Sequence, residues 1–516
     1  MIHFSSPFPL PARRTRWPFF LLAAAALQLT GCGGDDSPGA AFPAGNDAPG
    51  LVQQAPASAP EGFAAAGIAP PNTCDTQPND TPQLLLECVT LAGVRAHQTE
   101  LANIAKAHGG TRLAGTPGYD ASLEYARQVL TQAGYRVTVQ PFEFPVSRVE
   151  DSALRTPGQL ASQSLPHRVP DYAGSADVTA AASAPAGSEG CAAADFAGFV
   201  PGDIALVQRG GCDLEDKVAA AAQAGAAGAV IYSRDNAPPA GGLSTDTPQD
   251  FPVVLVTQDV GRQLLQRPAA SRMLQLKTQT SRSMATTYNL LAESTSGDPA
   301  HVTMVGAHLD SVRAGGGIND NGSGVAAVLE TARQMARVKP VNQLRFALWG
   351  AEEQGLLGSR HYVRSLPDAE RARLGLYLNF DMIGSPNPVF YVYGGDGSAG
   401  QDAISSPQAS ARIVDSFSDF YSTRQLASKR MNSGGRSDHK PFADIGVPFG
   451  GIFTGAEGIK TRQEADTWGG TAGEPFDPCY HRACDNPANI SEPALDVNAD
   501  AVANAVLFFA MNRLER

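Results

Sequence analysis

Hydrophobic positions change their spacing several times along this chain, and each change marks a different kind of element. Leu84, Leu85, Val89, Leu91, Val94, Leu101 and Ile104 recur at helical intervals, which predicts helix. A second helix is expected from about Tyr119 to Ala133 with Gly134 as its stop, and the alternation of Tyr135, Val137 and Val139 then predicts a strand. From about Ser147 to Arg282 the pattern breaks into short β-rich runs among Ala and Gly, such as Ile204-Ala205-Leu206-Val207 and Val253-Val254-Leu255-Val256, so a separate small domain is expected there. After about Thr286 buried strands alternate with helices, with strands expected at His301 to Ala307, Gln343 to Trp349, Leu374 to Phe380 and Val447 to Phe453. A last helix, about Asp496 to Met511, sets Val502, Val506 and Phe509 on one face. This alternation predicts an α/β fold, a mostly parallel central sheet flanked by helices.

The 516 residues exceed what one core usually supports, so two folded domains with flexible ends are expected. A formal net charge of -12 argues against nucleic acid as a partner. At the N-terminus Arg13, Arg14 and Arg16 precede an apolar run from Trp17 to Leu29 that is too short to span a bilayer, the pattern of an export signal. Leu29-Thr30-Gly31-Cys32 follows and resembles the bacterial lipoprotein cleavage box, which implies removal of residues 1–31 and lipidation of Cys32. Gly33 after the cysteine leans, by the same resemblance, towards the outer membrane or cell envelope; an ordinary signal to the periplasm or exterior is the alternative. Residues 32–72, rich in Ala, Pro, Gly and Ser, read as a disordered tether. Without Cys32, six of the seven cysteines remain and can pair completely in an oxidising compartment. Their spacing suggests Cys74 with Cys88, Cys191 with Cys212 and Cys479 with Cys484, although spacing alone does not fix connectivity.

Within 147–282, Gly202-Asp203-Ile204-Ala205-Leu206-Val207-Gln208-Arg209-Gly210-Gly211-Cys212 runs into a helix carrying Lys217 and then Ala224-Gly225-Ala226-Ala227-Gly228-Ala229-Val230-Ile231-Tyr232. This series resembles the protease-associated domain, a small β-rich module inserted in several peptidases, and it holds no catalytic cluster. The remaining segments, 73–146 and 283–516, would then form one domain around it.

In open α/β sheets ligands gather outside the carboxyl ends of the strands. Here the first strand ends at His308-Leu309-Asp310, the second runs into Glu352-Glu353, and Asp381 directly follows the third. With Asp320 in Asn319-Asp320-Asn321-Gly322-Ser323-Gly324 and His481 in Cys479-Tyr480-His481, two imidazoles and three of these carboxylates would suit zinc. The order and spacing of His308, Asp320, Glu352-Glu353, Asp381 and His481, with Leu113-Ala114-Gly115-Thr116-Pro117-Gly118-Tyr119 upstream, resemble the co-catalytic zinc aminopeptidases of the bacterial leucyl aminopeptidase type. The resemblance implies two Zn2+ per chain bridged by Asp320. His308 and Asp381 would complete one site, and Glu353 and His481 the other. It further implies Glu352 as general base, Tyr480 as hydrogen-bond donor to the oxyanion and a cis Asp320-Asn321 peptide.

Asp310 is placed to orient His308 or to serve as a turn residue. Arg436, in Gly434-Gly435-Arg436-Ser437-Asp438-His439, is a candidate for the substrate rim or for a surface ion pair, with Ser437 or Asp438 capping the following turn. Phe453, with Thr454 and Gly455, is a candidate pocket wall. The expected substrates are peptides or proteins with a free N-terminus. Alternatives of the same fold are a single-zinc glutaminyl cyclase-like or carboxypeptidase-like enzyme; a catalytically inactive receptor-like protein is the alternative of another class.

Overall fold

The computed structural model describes residue 74 and residues 76–157, 163–186, 189–236, 242–243, 247–268, 271–397 and 407–514. The export signal, Cys32 and the tether lie outside the described residues. The first helical stretch is two helices, Pro82–Leu86 and Leu91–Ala107. Each begins at a threonine, Thr81 or Thr90, whose side chain accepts a backbone N–H, the arrangement that satisfies an otherwise unpaired donor. The second helix is Pro117–Gln132, and Gly134 follows it at φ 90°. The last helix begins earlier than its periodicity suggests, at Glu492, because Ser491 caps it and proline is tolerated in a first turn.

The strands in chain order are β1 (Arg136–Thr156), β2 (Gln163–Ser164), β3 (Ala176–Ser183), β4 (Ile204–Gln208), β5 (Gly228–Tyr232), β6 (Val253–Val256) and β7 (Met273–Glu293). They continue as β8 (Asp298–His308), β9 (Asn342–Trp349), β10 (Leu374–Phe380), β11 (Tyr391–Gly394), β12 (Lys429–Arg430) and β13 (Phe449–Phe453). Hydrogen bonding runs through β12-β11-β13-β10-β8-β9-β7-β3-β4-β5-β6, with β1 paired along β7. β8 pairs in parallel with β9 and β10, and β10 with β13. β7 and β11 flank this group antiparallel.

Two long strands join the domains. β1 and β7, 21 residues each, form one antiparallel ribbon that begins beside β9 and ends beside β3. Ser147 pairs with Arg282, so the change of composition at those residues falls at one level of a continuous ribbon. The side chains nevertheless sort into separate cores: one gathers Leu290, Val305, Phe346, Leu378 and Val502, the other Leu154, Leu206, Val230, Leu255 and Leu276. All three disulfides form in the expected pairs.

Candidate metal centre

The parallel strands β8, β9, β10 and β13 are buried, and their carboxyl ends share one edge. His308 is the last residue of β8, Glu352 and Glu353 follow β9 by three and four positions, and Asp381 immediately follows β10. Asp320 ends the loop before the helix Gly322–Met335, whose N-cap Asn321 accepts the N–H of Gly324. Gly324 must lack a side chain, since a Cβ there would lie 2.3 Å from the carbonyl oxygen of Phe380. The Asp320-Asn321 peptide is cis. Three of the non-glycine residues in the left-handed region lie here: Ala351 before Glu352, Met382 after Asp381, and His481 itself. Such residues persist where their surroundings over-determine the backbone.

The five side chains converge in two groups that share Asp320. His308 Nε2 lies 3.2 Å from Asp320 Oδ1 and 3.3 Å from Asp381 Oδ1. His481 Nε2 lies 3.1 Å from Asp320 Oδ2 and 3.0 Å from Glu353 Oε2. Each carboxylate oxygen of Asp320 thus faces a different imidazole. Two ligands of one tetrahedral zinc, each bonded at about 2.0–2.1 Å, would lie about 3.3 Å apart, close to all four separations. Glu353 Oε1 and Asp381 Oδ1 are buried without a hydrogen-bond donor. Glu352, not itself in these pairs, lies within 4.8 Å of ligand atoms of His308 and Asp381.

The electrostatics also call for cations. Burial opposes a charge on His308, yet Asp381, Glu352 and the neighbouring acids hold its pKa well above the usual imidazole value. His481 is buried too, but Glu353 and Asp320 push it up to about 10. Burial drives Glu352 well above the usual carboxyl value; the attraction of His308 opposes that rise, and repulsion from Asp438, Glu353 and Asp381 adds to it. Crowded acids draw protons onto the imidazoles, and divalent cations would neutralise the same charge while leaving the ligands deprotonated. The residues therefore fit zinc.

Asp310 contacts both His308 and the segment that follows β9. Its backbone carbonyl lies 3.2 Å from His308 Nδ1, while its two carboxylate oxygens accept the N–H groups of Glu352 and Glu353. The capping expected of Ser437 and Asp438 is not what the structure shows, because both side chains turn inward. Ser437 donates to Asp381 Oδ2, and Asp438 accepts from Ser359 Oγ. Arg436 is exposed and reaches Glu457 Oε1 at 3.0 Å and Tyr480 OH at 3.3 Å. Phe453 is half-buried and stacks on Tyr391. Thr454 is fully buried, with its hydroxyl on Met382 O and Ser385 Oγ, so it supports the strand end instead of lining a pocket.

Sequence reasoning missed Arg112, Asp477 and Asp485. Arg112 is completely buried and donates to the carbonyls of Leu309, Gly316 and Gly317, tying down the loop between His308 and Asp320. It directly precedes the quoted Leu113-Ala114-Gly115 segment, the one signal that could have found it.

Residues 289–506 match the model of peptidase family M28, and residues 175–264 match the PA domain. An aminopeptidase of Pseudomonas aeruginosa is 42% identical over 447 residues, covering 82% of this chain and 81% of that protein. The probable lipoprotein aminopeptidase of Mycobacterium tuberculosis is 40% identical over 435 residues, 82% of this chain and 86% of its own. Among solved structures, an aminopeptidase from Aneurinibacillus sp. strain AM-1 superposes with a TM-score of 0.65 at 27% identity, covering 85% of this chain and 98% of the other. A zinc aminopeptidase from Bacillus subtilis gives 0.63 at 26%, with 82% and 96% covered.

Proposed function

This chain belongs to peptidase family M28 and carries an inserted PA domain, and from that premise we propose that it is a two-zinc aminopeptidase removing N-terminal residues from peptides. The observation that carries the reading is Asp320, whose two oxygens face His308 and His481 separately. His308, Asp381 and Asp320 would hold one ion, and Glu353, His481 and Asp320 the other. Zinc bound there would supply Lewis acidity and bring the pKa of a coordinated water near neutrality.

The chain's own groups would do the rest. Glu352 lies within 4.8 Å of ligand atoms of His308 and Asp381, and its carboxylate is the proposed general base, taking a proton from the attacking water and passing it to the leaving amine. Tyr480 OH would donate to the oxyanion that develops on the scissile carbonyl, and the Arg436 guanidinium beside it favours negative charge at that position. Acids surrounding the centre would favour a substrate ammonium over a carboxylate, which supports removal from the N-terminal end.

Export follows from the Arg13 to Cys32 segment, and a lipid anchor at Cys32 is proposed on the cleavage-box resemblance together with the lipoprotein relative. The test of function is digestion of a peptide library by the zinc-loaded protein. Progressive shortening from the N-terminus is expected, and shortening from the C-terminus would reject the reading.

A further inference from the structure

The segment Asp477-Pro478-Cys479-Tyr480-His481-Arg482-Ala483-Cys484-Asp485 has a buried aspartate at each end and a disulfide within it. It carries Tyr480 and His481. Both terminal aspartates turn towards Asn319 and Asp320, more than 150 positions earlier in the chain. Asp485 Oδ1 accepts the backbone N–H of Asn319 at 2.8 Å, and its Oδ2 accepts the backbone N–H of Asp320 at 3.0 Å. Asp477 Oδ2 accepts the side-chain amide of Asn319 at 2.7 Å, and its Oδ1 accepts the N–H of Cys479. Between them Asn489 Nδ2 donates to both carboxylates.

We infer that Asp485 is a positioning residue that fixes the shared carboxylate of Asp320 relative to His481. Asp485 touches no proposed ligand atom. It holds the peptide from which the Asp320 side chain projects, and it lies four residues after His481, directly past the Cys479–Cys484 disulfide that closes the turn carrying that imidazole. A ligand displaced by a fraction of an ångström no longer meets two ions at once. Only a carboxylate can accept from both N–H groups; an amide would set its own NH2 against one of them. Asp477 is the less direct member of the pair, because it grips the Asn319 side chain and the start of its own loop.

The inference rests on the two-ion reading, and the experiment separates the two. Zinc content and affinity are measured by competition with a chromophoric chelator for the wild-type full chain, Asp485→Asn and Glu330→Gln, alongside thermal unfolding of the zinc-free proteins. Glu330 is an equally buried carboxylate remote from the centre, bonded to His97, Arg333 and Gln334. Asp485→Asn is expected to weaken zinc binding about 10–100-fold, the usual cost of losing a group that orients ligands. Glu330→Gln should lose stability with its zinc affinity unchanged. Undiminished affinity in Asp485→Asn, or an equal loss in Glu330→Gln, would overturn the inference. A wild type that binds one ion would instead sink the two-ion reading. If Asp485→Asn does not fold, Asn489→Ala, which frees both aspartates on one side, should show a smaller loss of the same kind, and wild-type affinity there would reject the proposal.

Discussion

The molecule contains two groups of parallel strands, β8, β9, β10 and β13 in the peptidase domain and β3, β4, β5 and β6 in the insertion, and they end very differently. The first group delivers His308, Glu352, Glu353 and Asp381 into a buried space. The second delivers Arg209, Ser233 and Thr257, and its nearby charges meet at the surface, as in the ion pair of Arg234 with Glu189, whose side chains are 58% and 39% exposed. Among the described residues, both groupings able to hold a metal lie in the peptidase domain. A parallel sheet edge therefore offers a place and no more. In the peptidase domain, loops 309–321 and 477–489 fold back over that edge and bring buried partners with them.

The contrast can be broken by treating the two regions in turn. Chelation is expected to abolish hydrolysis of aminoacyl anilides, with zinc restoring it; activity that survives exhaustive chelation would remove the metal from the account. Glu352→Gln should lower kcat about 10²–10⁴-fold, the range for a general base, while zinc content stays at the wild-type level. Tyr480→Phe should cost about 10²–10³-fold in kcat with little change in KM, as for one oxyanion donor; a change confined to KM would assign Tyr480 to substrate binding. In the insertion, Leu276→Ala empties a fully buried core position and should lower unfolding stability by about 2–5 kcal/mol, leaving zinc affinity intact. Arg234→Ala breaks an exposed pair, so unfolding stability from a denaturation curve should change by less than about 1 kcal/mol and kcat by nothing measurable.

Much of this architecture is legible in the chain, for a physical reason. Period-2 and period-3.6 patterns report burial, and His308, Glu352, Glu353 and Asp381 stand out because charged residues abut apolar strands. The ribbon is harder to read, since β1 passes from Phe142 and Phe144, which are buried, to Val149 to Ser152, which are not. That loss of burial resembles the end of a strand. Asp477, Asp485, Ser437 and Asp438 are residues of turn type in turn-rich stretches, and nothing local distinguishes a solvated aspartate from one that closes on a peptide 165 positions away. Thr454 was expected at a pocket for the opposite reason: its place after β13 is visible, and the inward direction of its hydroxyl is not.

The paired crossing of β1 and β7 has a bearing on how such a protein could acquire or lose its extra module. Val146 and Ser283 are cross-strand partners, so the outgoing and returning strands lie about 5 Å apart between the two cores. A two-residue hairpin turn would bridge that gap. Excision of everything beyond it would shorten a hairpin without severing the fold, making the junction a natural point for modular exchange.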